Sequence, residues 1–212
     1  MTTRSRITSF GPSGVEARQD LLASEAPMEI RLDDTPLAVI MRTPGDEEDL
    51  ALGFALTEGI VSSPTEIADV RRLPGDPEDA RWELVLAPGV AVDAEQFRRN
   101  AYTTSSCGIC GKASIDAVRV AAPAAIEGPM VDADVLLALP SRLQAQQDAF
   151  AATGGLHAAG AFTPFGELVD IREDVGRHNA VDKLVGALAV ERWPLGGLVL
   201  MVSGRASFEI VQ

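Results

Sequence analysis

The sequence is poor in lysine and in aromatic residues, and each shortage narrows what the protein can be. Of its 212 residues only Lys112 and Lys183 are lysines, and the formal net charge is −13. Phosphate groups and anionic lipids repel a chain this acidic, which argues against general nucleic-acid or membrane-surface binding. Aromatic residues make up 5% of the chain, so the core is predicted to be aliphatic.

Long apolar runs and an export signal are also missing. No stretch approaches the roughly 18 uninterrupted apolar residues of a membrane span, and residues 1–20 lack the apolar segment of a secretory signal. The cytoplasm is therefore the predicted location. In that reducing compartment the only two cysteines, Cys107 and Cys110, are expected to be catalytic, redox-active or metal-binding rather than a structural disulfide.

Apolar periodicity and turn residues predict a chain of mixed strands and helices. Residues 1–25 are polar and are interpreted as a loose leader with at most one edge strand. Strands are predicted at 28–32, 37–41, 67–73, 82–86, 157–162, 168–171 and 198–202, the last one fully buried. Helices are predicted at 46–59, 93–100, 113–120, 132–152 and 179–192, with another starting after 203–207. Pro140 is expected near the first turns of the long helix or between two pieces of it.

The order of these elements predicts an α/β (α+β) protein with a layered sheet and flanking helices. The α/β core is assigned to 112–212 and a smaller β-rich part to 26–100, with a mobile loop at 101–111 between them. The final helix has barely one turn before Gln212, which favours a chain truncated at its C-terminus.

The segment with the strongest chemical signal is 104–112, with the sequence TSSCGICGK. A cysteine is nucleophilic only as a thiolate, which nearby cations and helix N-terminal amides stabilise. Lys112, Arg98, Arg99 and Arg119 make this a basic segment of an acidic protein, and the two glycines leave room for a large partner. A redox or persulfide thiol site is favoured, with a metal site and small apolar filler as alternatives.

A second polar segment, 174–183, joins a strand end to a helix N-terminus, where anions bind well. Arg177 and Lys183 are candidate phosphate ligands, and Asp174 and Asp182 can accept hydrogen bonds from a guanine edge. An ordinary helix start with charge pairs four residues apart is the alternative.

Two shorter signals come from the glycine-flanked His157 and the turn 203–207. His157 is either a proton donor or ligand contact beside the thiols, or a hydrogen-bonded core histidine. The segment 203–207, with the sequence SGRAS, follows an apolar strand and resembles an anion-holding turn, although the motif is short.

Five stretches together resemble the formate dehydrogenase accessory sulfurtransferase (FdhD) family. They are MRTPGDEEDLALGFALTEGI (41–60), TTSSCGICGKASID (103–116), GGLHAAGAF (154–162), DVGRHNAVDKLVG (174–186) and VSGRASFEIVQ (202–212). The resemblance implies a sulfur carrier that takes persulfide sulfur from a cysteine desulfurase onto the CxxC loop. It implies delivery to the molybdenum of bis-(molybdopterin guanine dinucleotide), which formate dehydrogenase requires. A cytidine deaminase-like fold, a homodimer and a longer C-terminus are also implied.

The same resemblance implies roles for individual residues. Cys107 is the persulfide carrier and Cys110 a helper or second relay. The molybdenum cofactor, or a guanine nucleotide that mimics it, is expected to contact His157, Asp174, Arg177, His178, Asn179, Asp182, Lys183, Ser203, Gly204 and Arg205. No zinc site is expected, because the H-x-E and P-C-x-x-C pattern of zinc deaminases is missing. A cofactor-binding chaperone without thiol chemistry and a dithiol oxidoreductase remain as alternative functions.

Overall fold

The computed structural model describes residues 2–12, 14–75, 80–97 and 128–211. The strands are β1 Thr2–Gly11, β2 Gly14–Ala23, β3 Ala26–Leu32, β4 Thr35–Arg42, β5 Ile67–Arg72, β6 Ala80–Leu86, β7 His157–Phe162, β8 Leu168–Asp174 and β9 Val199–Val202. The helices are α1 Glu47–Thr57, α2 Ala133–Gln144, α3 Asp148–Thr153, α4 Arg177–Glu191 and α5 Phe208–Val211. Short 3-10 turns occur at Pro64–Glu66 and Ala94–Phe97. The mixed α/β class predicted from sequence is confirmed.

The N-terminal residues form a separate two-stranded ribbon of β1 and β2, paired from Thr2 with Ala23 to Gly11 with Gly14. Most of its side chains are exposed, including the apolar Phe10 and Val15. The sequence analysis expected a loose leader here, and the structure instead has regular antiparallel pairing. The strands lack the alternation of apolar and polar residues that marks a half-buried sheet, so the usual strand signal is absent.

A four-stranded sheet with the order β4-β3-β6-β5 forms the next layer. The predicted β3–β4 hairpin is confirmed, and β3 also pairs in parallel with β6. Helix α1 packs against this sheet, and every residue from Leu50 to Leu56 is buried. A helix that is apolar on all sides must be covered on all sides, and α4 covers the side of α1 that the sheet leaves open.

A three-stranded antiparallel sheet with the order β8-β7-β9 lies on the other side of α4. The side chains of β7 alternate, so Ala159 and Ala161 belong to the core shared with α4, and Ala158 and Phe162 to the core shared with α2. The layers therefore run from the four-stranded sheet through α1 and α4 to the three-stranded sheet, with α2 outermost.

Helices α1 and α4 cross with their backbones almost in contact. A Cβ atom built on Gly53 would lie 1.8 Å from the carbonyl oxygen of Asp182, and one on Gly186 would lie 1.9 Å from that of Asp49. No other residue type fits at either position without moving a helix. The N-terminal end of α4, which starts at Arg177, provides much of the candidate site.

Some sequence predictions need correction, and others lie outside the described residues. The long helix predicted at 132–152 is two helices, α2 and α3, with Pro140 inside α2; the break comes at 145–147 because the backbone of Gln147 (φ −87°, ψ 74°) leaves the helical region. The strand predicted as fully buried is β9, an edge strand on which Leu200 is 48% exposed. The loop predicted at 101–111 and the helix predicted at 113–120 lie outside the described residues. No helix in the described ranges is long and apolar enough to cross a membrane.

Candidate anion-binding site at the start of helix α4

A buried ion pair lies beneath the turn between β8 and α4. Asp174 and Lys183 are both fully buried, and Lys183 Nζ lies 2.8 Å from Asp174 Oδ2. The same Oδ2 accepts a hydrogen bond from the Thr43 N–H (3.0 Å). Asp174 Oδ1 accepts from the Gly176 N–H (2.9 Å) and from Asn179 Nδ2 (2.8 Å). A carboxylate has about four acceptor positions, so Asp174 has none left for the guanine edge that the sequence analysis assigned to it.

Thr43 is a member of this cluster that the sequence analysis missed. It is 0% exposed, and its carbonyl oxygen accepts from Lys183 Nζ (2.9 Å) while its Oγ1 accepts from the Val175 N–H (3.1 Å). Its partner Asp174 is 131 residues away in the chain. No local sequence pattern reports a contact over that distance, so only the folded structure identifies Thr43.

Arg177 lies in the first helical position of α4, directly after the N-cap Gly176. Arg177 is buried, with 8% of the residue exposed. The buried Nε has no hydrogen-bond partner, and the parts of the chain that the structure describes offer its guanidinium no ion pair. A buried cation without a carboxylate is costly. Such a group is suited to an anionic ligand.

The backbone around Arg177 supports the same interpretation. The first amides of a helix have no intrahelical acceptor, and the N-cap residue Gly176 has no side chain to accept from them. The helix dipole adds a partial positive charge there. Gly204 leaves the space that Arg177 occupies, since a Cβ on Gly204 would lie 2.8 Å from Arg177 Cδ.

His157 and Ser203 lie close to Arg177. Ser203 Oγ accepts a hydrogen bond from the Ala158 N–H (2.9 Å) and lies 3.4 Å from His157 Nδ1. Burial lowers the pKa of His157 below its ordinary value of 6.5, and the positive charge of Arg177 lowers this pKa further. His157 therefore favours its neutral form more strongly than a free histidine does.

The remaining predicted residues lie around this centre or away from it. His178 Nε2 is 3.0 Å from Ser207 Oγ, before α5. Asn179 supports the inner cluster and also donates to the Met41 carbonyl oxygen (2.7 Å). Asp182 accepts from Thr57 Oγ1 (2.7 Å) and so belongs to the α1–α4 contact. Arg205 is exposed on the turn after β9.

The two cysteines, Cys107 and Cys110, lie outside the described residues, so their role stays a prediction. In the described part of the chain, no three histidine, cysteine, aspartate or glutamate side chains are grouped as a metal site would require.

Comparison of the sequence with known proteins shows the family of the chain. The FdhD/NarQ family model matches residues 23–212. The chain belongs to the FdhD/NarQ family. Two members named sulfur carrier protein FdhD align with all of it: one from Streptomyces avermitilis at 48% identity, over 78% of that protein, and one from Mycobacterium tuberculosis at 45%, over 80%.

A solved structure with a similar fold comes from Desulfotalea psychrophila and is proposed to be a formate dehydrogenase accessory protein. The TM-score is 0.73 at 21% sequence identity, over 99% of this chain and 78% of that one. The likeness shows that the two chains share the arrangement of sheets and helices described above.

The charge coupling between His157 and Arg177 gives a testable expectation in this family member. Arg177→Gln should raise the pKa of His157 toward 6.5 without reaching it, because the neighbouring charge is removed but the burial remains. An NMR pH titration of the histidine ring protons measures this, with His178→Asn identifying the second histidine signal. Arg192→Gln, at the exposed far end of α4, is the control and should leave the pKa unchanged.

The same pKa shift has a consequence for stability. The pKa of His157 is lower in the folded than in the unfolded protein. The contribution of neutral His157 to the free energy of unfolding is therefore fully present above about pH 6.5 and is lost as the pH falls through the folded pKa.

The NMR titration can also contradict the proximity of the two residues. An identical His157 titration in wild type and Arg177→Gln would show that Arg177 does not face this ring.

Proposed function

We propose that this protein is a carrier-type sulfurtransferase that holds sulfur as a persulfide on Cys107 and passes it to the molybdenum of bis-(molybdopterin guanine dinucleotide). The observation that carries the proposal is the 45–48% identity, over the whole chain, to proteins named sulfur carrier protein FdhD. The Cys107-Gly-Ile-Cys110 pair in a locally basic segment supplies the thiols that sulfur carriage needs.

Loading is a thiol exchange in which no external redox partner is needed. The Cys107 thiolate attacks the outer sulfur of a persulfide on a cysteine desulfurase. A new sulfur–sulfur bond forms on Cys107, the donor sulfur–sulfur bond breaks, and the desulfurase cysteine leaves as a thiolate. Both sides of the reaction hold one persulfide and one thiolate, so electrons balance.

Release as sulfide requires two electrons, and Cys110 can supply them together with Cys107. The Cys110 thiolate attacks the inner sulfur of the persulfide, the outer sulfur leaves as hydrosulfide for the molybdenum, and a Cys107–Cys110 disulfide forms. A cellular dithiol reductant then restores both thiols. Cys110 is thus the helper cysteine of the proposal.

The substrate carries pyrophosphate groups, and the start of α4 fits them. Arg177 offers a buried guanidinium without a carboxylate partner in the described residues, and guanidinium–phosphate pairs are among the stronger charge-assisted hydrogen bonds. The α4 amides, His157 and the Ser203 hydroxyl can add to this contact. Asp174, Asn179 and Lys183 lie inside the protein and act on the ligand through the turn that they hold.

The proposal includes the partners and assembly that the family resemblance implies. The sulfur donor is a cysteine desulfurase, the final beneficiary is formate dehydrogenase, and the working form is a homodimer with a cytidine deaminase-like layering. The predicted cytoplasmic location stays a prediction.

Persulfide loading tests the proposal directly. Incubation with a cysteine desulfurase and cysteine should add one or two mass steps of about 32 Da, the mass of one sulfur atom, that dithiothreitol removes. Cys107→Ala should abolish productive transfer to formate dehydrogenase, because the carrier thiolate is lost. Mass spectrometry of the intact protein and formate dehydrogenase activity in a strain lacking the native carrier are the two measurements.

Cysteine variants separate the competing functions. Full loading of the Cys107→Ala/Cys110→Ala double variant would rule out a cysteine persulfide. Full rescue of formate dehydrogenase by that double variant would favour a chaperone that binds the cofactor without thiol chemistry. Insulin reduction by a reversible Cys107–Cys110 disulfide, with no mass gain, would favour a dithiol oxidoreductase.

A further inference from the structure

We propose that Thr43 is a positioning residue for the anion site at the start of α4, an inference that rests on the proposed function. Thr43 belongs to the connection between β4 and α1, in the other half of the chain from Arg177. All of its polar groups bond to the segment that contains Arg177. The sequence of that connection contains no other hint of a role in ligand binding.

The three bonds of Thr43 bracket the turn that precedes α4. Its Oγ1 accepts from the Val175 N–H at 3.1 Å, its own N–H donates to Asp174 Oδ2 at 3.0 Å, and its carbonyl oxygen accepts from Lys183 Nζ at 2.9 Å. Asp174 and Val175 come directly before the N-cap Gly176. Lys183 holds the same helix from within, nearly two turns further on.

Asp174 and Lys183 cannot contact a ligand directly in this arrangement. Both side chains are 0% exposed, and each is already bonded to the other and to Thr43. Their charges cancel at close range, so they add little long-range attraction for an anion. Their effect on binding must come through the position of the backbone that they hold.

Arg177 depends on this position because it follows the held turn by only one residue. Asn179 packs back on Gly176, since a Cβ on Gly176 would lie 2.9 Å from Asn179 Nδ2, and Asn179 itself donates to Asp174. The turn is thus fixed from two sides, and the Thr43 hydroxyl is the acceptor for its Val175 amide. Binding groups must be held to about 0.5 Å to keep their affinity.

Thr43→Val is the variant that isolates the hydroxyl. It keeps the shape of the side chain and both backbone bonds, but it removes the acceptor for the Val175 N–H. The binding of inorganic pyrophosphate, and separately of GDP, to the full chain by isothermal titration calorimetry is expected to weaken about tenfold. Thr43→Ser keeps the hydroxyl and should bind within about twofold of wild type.

A control removes a hydroxyl from α1, away from the anion site. Thr57→Val deletes the bond from Thr57 Oγ1 to Asp182 Oδ1, which ties α1 to α4. It is expected to leave both affinities unchanged, because Thr57 is exposed and does not contact the turn before α4. Thr43→Ala also removes the hydroxyl, but it leaves a small void instead of placing a methyl group against the Val175 N–H. It provides a second test if the valine variant folds poorly.

The outcomes separate this inference from the proposed function. If wild type binds neither pyrophosphate nor GDP, or if Arg177→Gln binds them as well as wild type, the anion site itself is overturned. If wild type binds and Arg177→Gln does not, while Thr43→Val and Thr43→Ala bind like wild type, only the role of Thr43 is overturned. Equal losses of affinity in Thr43→Val and Thr57→Val would reduce Thr43 to a general stabilising residue and also overturn the inference.

Discussion

Asp174→Asn is expected to lower the free energy of unfolding by about 3–5 kcal/mol, the range for removing one partner of a buried ion pair. The amide would keep one acceptor oxygen but place an NH2 group toward two donors, the Thr43 N–H and Lys183 Nζ, both now at Asp174 Oδ2. Lys183 would then carry a buried charge with no counterion. The free energy of unfolding of an ordinary domain is about 5–15 kcal/mol, so this single change removes a large share of it.

Urea denaturation followed by circular dichroism measures the effect, with the midpoint shifting and the slope unchanged. Asp20→Asn is the matched control: Asp20 also pairs with an arginine, Arg18, at 3.3 Å, but both side chains are substantially exposed. Exposed pairs contribute about 0–1 kcal/mol, so the control midpoint should hardly move. Equal effects of the two substitutions would show that the 174–183 pair is not sealed from water.

Gly186→Ala is expected to destabilise the protein by about 3 kcal/mol, at the upper end for overpacking. The new methyl carbon would meet the Asp49 carbonyl oxygen at 1.9 Å, and a backbone atom cannot move aside as a side-chain tip can. Alanine gains about 1 kcal/mol over glycine in a helix interior, but that gain does not offset a forced separation of α1 and α4. Gly53→Ala should behave alike, because its methyl would meet the Asp182 carbonyl oxygen.

The melting temperature and urea midpoint of Gly186→Ala are compared with those of Gly11→Ala, where a new Cβ meets nothing within 4 Å. The control should change stability by no more than about 0.5 kcal/mol. A Gly186→Ala protein as stable as wild type would refute the close helix crossing.

The elements that the sequence predicted well are those with strong local signals. The apolar runs of β3 and β4 on either side of an Asp-Asp turn, the acidic first turn of α1, and the helix after Gly176 are all found close to their predicted bounds. Turn chemistry and apolar periodicity act within a few residues, so a reader of the sequence has access to them. Prediction is weaker for β1 and β2, because their residues lack the alternation of apolar and polar side chains that marks a half-buried strand.

Some features of the candidate site also have local sequence signals, and others are visible only in the folded structure. The motif around Arg177 led to the right helix start, because glycine before a helix and clustered cations are local features. The sequence did not show which residues of the motif are available to a ligand and which hold the backbone in place. The charge of Lys183 would suit a phosphate contact and that of Asp174 a guanine contact, so the sequence alone does not exclude those roles. Only their burial shows that they bond to each other. Thr43 contacts Asp174, which is 131 residues away in the sequence, so no local pattern assigns it to the site.

The crossing of α1 and α4 also bears on how the chain is made. Thr57 and Asp182, which meet there, are separated by 125 residues, so a ribosome completes α1 long before it synthesises its cover. During that interval one side of the apolar stretch Leu50–Leu56 has no native neighbour, and closing so long a loop is entropically costly. The N-terminal half therefore exposes apolar surface to aggregation during synthesis until α4 emerges and packs against α1.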